Sequence, residues 1–194
     1  MDEADTVEVL KVFDGDGFLA RVWDPHRKEW AGRIPFRLAF IDAPEIEQPF
    51  GNEAMKFLSS LISGKELRLG LIGKESTGGI PIDQYKRVLC VAYLTEQLPA
   101  GRVDYYIDGK CGAGSIKAPR SIARNIELEM IVNGWAWVVR QYAFEQEQVY
   151  FEAEENARQN RRGLWIVDSP EPPWVFKRKQ RQRRKRDHGQ SNLF

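Results

Sequence analysis

Apolar residues recur at two different periods along this chain, and the alternation between them lays out its elements. Period two dominates early: residues 7–13, 17–23 and 34–41 read as strands, the last most clearly, with Phe36, Leu38 and Phe40 on one face. That parity sends Arg37 to the opposite face, at a fixed height above a sheet whose other side is committed to a core. Pro25 and Gly32 bracket the charged turn between the second and third strands. After Pro49 the period lengthens. Ala54, Phe57, Leu58, Leu61 and Ile62 follow helical spacing over 51–63, and Gly64 is placed to end that helix. Leu67, Leu69 and Leu71 restore the alternation in a fourth strand, and residues 87–94 form a fifth, apolar on both faces, beyond a loop holding Gly78, Gly79 and Pro81.

Residues 96–120 have only a short apolar cluster around Val103–Ile107 among Gly and Pro, and read as an exposed excursion. A second helix starts from a Ser121 or Asn125 cap and runs through Leu128, Ile131 and Val132 to Gly134. A third spans 145–162, with Glu145, Glu147 and Glu152 early and Arg158, Arg161 and Arg162 late, the sense of charge that suits a helix dipole. Prolines between Asp168 and Pro173 then forbid a helix. These elements give one domain over 1–174, with an inserted loop at about 96–120, and a basic tail over 175–194 that reads as disordered when alone.

Composition sharpens the division. The chain has 194 residues, 42% of them hydrophobic, enough for one real core. Its formal charge of +1 hides an asymmetry: eight of 29 basic and one of 28 acidic residues lie in 177–194, so the body carries about −6 and the tail about +7. Such a tail suits a polyanionic partner. No apolar run is long enough to cross a bilayer, and Met1-Asp2-Glu3-Ala4-Asp5 lacks a secretory pattern. The expected compartment is cytoplasmic by default, or outside the cell if a signal was removed upstream. Cys90 and Cys111 read as a core thiol and a loop thiol rather than a bridge.

Five charged residues carry the candidate chemistry: Asp16, Arg37, Asp42, Glu45 and Arg87. Carboxylates suit hard divalent cations, and a guanidinium grips two phosphate oxygens without losing its proton near neutral pH. Each residue has a plainer reading. Asp14-Gly15-Asp16 alone is a turn, an isolated Arg pairs with a surface Glu, and Tyr85, Tyr142, Trp135, Trp137 and Trp165 serve as packing. The combination favours phosphodiester hydrolysis. His26 and His188 lie in a charged turn and in the tail, so a histidine mechanism has no support.

Several motifs resemble those of the staphylococcal nuclease family and occur in the family's order. They are Asp14-Gly15-Asp16, Phe36-Arg37-Leu38, Ile41-Asp42-Ala43-Pro44-Glu45, Gln48-Pro49-Phe50-Gly51, Asp83-Gln84-Tyr85-Lys86-Arg87, Gly134-Trp135-Ala136-Trp137 and Arg162-Gly163-Leu164-Trp165. The resemblance covers about Val7 to Trp174 and implies an α+β, mainly β fold: an OB-type five-stranded barrel with three helices. It implies that Asp16, Asp42 and the backbone carbonyl of Ala43 hold Ca²⁺, that Glu45 orients or deprotonates the attacking water, and that Arg37 and Arg87 neutralise the phosphoryl oxygens. Tyr85 and Tyr142 match family tyrosines of the nucleotide site.

The implied activity is a Ca²⁺-dependent endonuclease on DNA and RNA, with low sequence specificity, a preference for single-stranded regions, and products ending in 3′-phosphate. Lys177–Arg186 would contact nucleic acid. Three departures stand out. Gly17 replaces a frequent Thr, Gln84 a frequent cation, and Lys86 a frequent Gly, although Lys86 is positioned to meet phosphate in place of the missing cation. They keep open the competing class, a non-catalytic OB-type module that binds nucleic acid or protein.

Overall fold

In the computed structural model, which describes residues 6–72, 82–107, 110–116 and 118–191, five strands close on themselves. The loop expected at Gly78, Gly79 and Pro81 lies outside the described residues. The strands are β1 (Thr6–Val12), β2 (Gly17–Asp24), β3 (Glu29–Leu38), β4 (Ile41–Asp42), β5 (Glu66–Leu71), β6 (Val88–Leu98), β7 (Gly101–Ile107), β8 (Lys110–Ile116), β9 (Arg120–Asn125) and β10 (Trp137–Val138). The main sheet runs β3-β2-β1-β5-β6-β9, and a parallel pairing of β3 with β6 closes its first five members. Period two explains the interior: Val7, Val9, Phe18, Ala20, Phe36, Leu38, Leu67 and Leu69 all turn inward and are buried.

Four α-helices accompany the barrel among the described residues, one more than expected: α1 (Gly51–Ile62), α2 (Ile126–Val132), α3 (Glu147–Gln159) and α4 (Pro173–Ser191). Ala54, Leu58 and Ile62 of α1 are fully buried, each Leu or Ile worth about 1.5–3 kcal/mol relative to exposure. Of the two candidate caps for α2, Asn125 is the one used, its Oδ1 accepting from Leu128 N at 3.2 Å, while Ser121 belongs to β9. Every residue of α2 is buried, Glu127 included. That carboxylate accepts from Phe40 N and from the Tyr150 hydroxyl, each at 2.9 Å.

The Phe40 contact corrects the third strand. Instead of running over 34–41, β3 stops at Leu38, because the Phe40 amide goes to Glu127 rather than to a ladder, and β4 resumes to pair Asp42 with Trp137. At its other end β3 begins earlier, at Glu29, where Trp30 meets Trp23 across the hairpin.

The excursion expected at 96–120 has regular structure of its own. β6 continues to Leu98 and pairs with β9, and between them β7 and β8 form an antiparallel hairpin from Gly101↔Ile116 to Ile107↔Lys110. A ladder is made by backbone groups, so the glycines of β8 join it while blurring its side-chain alternation. Cys90 is a buried free thiol; the Cys111 side chain lies outside the described residues.

The largest departure is the tail. The segment expected to be disordered is helical as α4, which also crosses the expected boundary at 174. Arg, Lys and Gln are good helix formers once a segment is anchored. The anchor is Trp174, whose ring meets Trp137 edge-on at 6.2 Å, and Trp137 in turn meets Trp165 at 5.4 Å.

Candidate active site

The turn between β1 and β2 carries Asp16 and is closed by Phe13 N donating to Gly17 O at 2.9 Å. It presses hard on its neighbours: a Cβ on Gly15 would stand 2.5 Å from Ala43 Cβ and 2.9 Å from Ala54 Cβ. Only glycine permits that approach, which sets Asp16 beside the Asp42–Ala43 segment. The Asp16 carboxylate accepts from Ala43 N at 3.3 Å, and its backbone carbonyl accepts from Leu38 N at 2.9 Å, next to Arg37.

Arg37 stands at the seam of the barrel, paired with Gly17 of β2 on one side and Leu89 of β6 on the other. Its Nη2 donates to Asp16 Oδ2 at 3.1 Å and to Asp42 Oδ1 at 2.9 Å, so one nitrogen joins the two expected metal ligands. Arg87 immediately precedes β6, the last barrel strand. Its Nη1 reaches Asp16 Oδ1 at 3.6 Å and Asp14 Oδ2 at 3.7 Å, and its Nε donates to Asp83 Oδ2 at 2.9 Å.

Glu45 is held by its backbone. Gln48 N donates to Glu45 O at 2.8 Å, Gln48 Oε1 accepts from Glu45 N at 3.3 Å, and a Cβ on Gly51 would lie 1.9 Å from that same carbonyl. The buried Gln48 also donates to Glu171 O, tying this turn to the segment that leads into α4. The Glu45 carboxylate meets Asp42 through an unexpected group: Lys177 Nζ lies 2.8 Å from Glu45 Oε1 and 3.2 Å from Asp42 Oδ1.

Two relationships describe how the charged side chains sit. The carboxylates do not form a trio, since among the described residues no three His, Cys, Asp or Glu side chains gather closely enough to hold an ion by themselves. Nor do the arginines stand wholly opposite, because Arg37 lies between Asp16 and Asp42. Asp16 and Asp42 still bring carboxylate oxygens together on Arg37 Nη2, and a two-carboxylate set leaves positions for carbonyl, water and phosphate oxygens, so these residues fit a hard divalent cation.

Electrostatics follows from this crowding. Burial pushes Asp42 up to about 6, with the charge of Asp16 adding to the rise. Burial works in the same direction on Asp16, but Arg37, Arg87 and Lys177 together draw it below the ordinary carboxylate range. Asp14 rises to about 7, through burial and then the charge of Asp16. Burial disfavours the charge of Arg37, yet Asp16 and Asp42 hold its pKa above the usual value.

The aromatic and cationic candidates separate. Tyr85 is exposed, with the Arg87 guanidinium 5.6 Å from its ring centre, and it lines two cavities of about 320 and 490 Å³ beside the carboxylates. Tyr142 lies close by, but its hydroxyl donates to Ala39 O at 2.6 Å, so it braces the backbone beyond Arg37. Lys86 is exposed and lines neither cavity.

Residues 35–167, which include Arg37, Asp42, Glu45 and Arg87, match the family described as Staphylococcal nuclease homologue. The chain belongs to that family. It is 31% identical over 179 residues to an uncharacterized endonuclease of Haemophilus influenzae, covering 92% of this chain and 76% of that one. It is likewise 31% identical over 171 residues to a micrococcal nuclease of Shigella flexneri, covering 88% and 79% of the two chains. A probable staphylococcal-like nuclease of rice is 30% identical over 155 residues, which cover 80% of this chain and 24% of the relative.

Two departures from the family's usual residues acquire a physical setting here. At Gly17 a Cβ would lie 2.9 Å from Asp14 Oδ1 and 3.1 Å from Arg87 Nη1, so the absence of a side chain admits the Asp14 carboxylate. At Lys86 the backbone has φ 63°, the left-handed region that favours glycine. Sequence patterning did not single out three members of the site. Asp83 had a usable signal, four residues before Arg87 in a turn, and Asp14 lay inside a motif already noted. Lys177 had none, standing 135 residues from Asp42 and within a run read as tail.

Proposed function

We propose that this protein is a metal-dependent nuclease that hydrolyses phosphodiester bonds of DNA and RNA with little base preference and favours single-stranded regions. One observation carries the reading: Asp16 and Asp42 meet on Arg37 while Arg87 closes on Asp16, all within a chain of the staphylococcal nuclease family. Relatives named endonuclease and micrococcal nuclease support the same class of reaction.

Asp16, Asp42 and the Ala43 carbonyl would hold the ion, taken as Ca²⁺, which when bound supplies Lewis acidity to a phosphoryl oxygen. Arg37 and Arg87 bind the equatorial phosphoryl oxygens and accelerate cleavage to the extent that they bind the pentacoordinate state better than the ground state. Arg37 Nε is buried and has no protein partner, a donor that a phosphate oxygen would satisfy. Glu45, more than a third exposed, orients a water and takes its proton as the water oxygen bonds to phosphorus. The bond from phosphorus to the 5′ oxygen breaks, leaving a 3′-phosphate and a 5′-hydroxyl.

Tyr85 offers a face on which a base stacks, and Lys177 and Arg181 of α4 line the same two cavities, cations suited to the phosphates of a strand. Digestion of plasmid and of single-stranded DNA and RNA tests the reading. Cleavage of all three with Ca²⁺ and none with EDTA is expected; binding without cleavage under both conditions would place the protein among non-catalytic OB-type modules.

A further inference from the structure

The contact made by Lys177 goes further than recruitment of a polyanion. Its ammonium sits between Asp42 and Glu45, at 3.2 and 2.8 Å, and its side chain is only 31% exposed. The helix that delivers it is fixed in register. Trp174 seats on Trp137, Lys179 pairs with Glu171 at 2.6 Å, and Gln180 donates to Glu47 at 2.8 Å. Trp174, Lys177, Arg181 and Arg184 recur at helical spacing, and each lines one or both of the cavities beside the carboxylates. The face of α4 turned to the site is therefore its cationic one, and its innermost cation already neutralises the carboxylate meant for a metal and the one meant for water.

We propose that α4 is an autoinhibitory strap, with Lys177 as an intramolecular counter-ion that competes with the divalent cation for Asp42 and ties up Glu45. The inference rests on the metal-site reading above. An internal competitor lowers the apparent affinity for the ion by the ratio of closed to open forms. A nucleic-acid strand lying along Arg178 and Arg181 gives Lys177 a phosphate in exchange for Asp42 and Glu45, so substrate and ion open the strap together. Free protein is held idle, and the resting state breaks where substrate arrives.

Calorimetric titration of the full chain with Ca²⁺, without nucleic acid, tests this directly. Lys177→Met keeps the apolar stem and removes the charge, and its Ca²⁺ affinity is expected to exceed the wild-type value at least fivefold. Arg183→Met, exposed on the same helix and lining neither cavity, is expected to match wild type, and Asp42→Asn to bind at least tenfold more weakly. Equal or weaker affinity in Lys177→Met, with Asp42→Asn still impaired, overturns the strap and leaves the metal site standing. No Ca²⁺ binding by any form overturns both. A second measurement needs no variant: acetylation of Lys177 in the wild-type chain, followed by peptide mass spectrometry, should quicken severalfold on adding Ca²⁺ while the exposed Lys56 is unaffected. An unchanged rate at Lys177 rejects the strap.

Discussion

Arg87 Nε donates to Asp83 Oδ2 at 2.9 Å, and the other oxygen of the same carboxylate accepts from Arg87 N at 2.9 Å and from Tyr85 N at 2.8 Å. Asp83 thus sets both the backbone turn and the aim of the guanidinium that reaches Asp16. Asp83→Asn retains an oxygen for the two backbone donors and loses the charged partner of Nε. Turnover is expected to fall about 10- to 100-fold with KM nearly unchanged. A loss confined to KM, or matched by a fall in melting temperature, would show Asp83 to be structural only.

Glu127 gives the fold a pH dependence. Burial raises its pKa to about 7 from the 4.5 of an exposed Glu, against hydrogen bonds from Phe40 N and Tyr150 that lower it. Between these values the folded state holds a proton that the unfolded state has released. This contribution is complete below about pH 4.5 and is lost as pH rises through about 7, by up to about 3 kcal/mol. Urea melts of wild type and Glu127→Gln across that window check it. The stability difference should shift in favour of Glu127→Gln as pH rises, and a constant difference would contradict the buried-proton account.

How much of this was legible in the sequence depends on the range of the interaction involved. The barrel strands and α1 are written in local periodicity, as Phe36, Leu38, Ala54 and Leu58 show by being buried. Asp16, Arg37, Asp42 and Arg87 were accessible because each sits at a turn or strand end that a short motif defines. The break at Phe40 depends on Glu127, which is 87 residues away, and no local pattern announces it. The tail failed for a related reason. A run of Lys and Arg reads as a solvated coil until the acidic body supplies partners, and the contact of Lys177 with Glu45 exists only in three dimensions. The β7–β8 hairpin shows the opposite limit, a ladder carried by backbone and therefore nearly silent in side-chain pattern.

The placement of α4 also makes a prediction about salt. Arg178 and Arg181 line the larger cavity together with Tyr85, where they would meet strand phosphates. Replacing both with Gln removes two cationic contacts, each worth about 0.7 in the slope of log affinity against log salt for a single strand. Fluorescence anisotropy with a labelled oligonucleotide over a range of NaCl should show a slope shallower by about 1.4, together with weaker binding at low salt. An unchanged slope would remove α4 from the substrate path.

The central claim is that Glu45 and Arg87 do chemistry rather than support the fold. Single-turnover cleavage of a single-stranded oligonucleotide with Ca²⁺, compared among wild type, Glu45→Gln and Arg87→Ala, tests it most directly. Losses of about 10²–10⁴-fold for Glu45→Gln and about 10²–10³-fold for Arg87→Ala are predicted, with melting temperatures close to wild type. Wild-type rates in both folded variants would contradict the account.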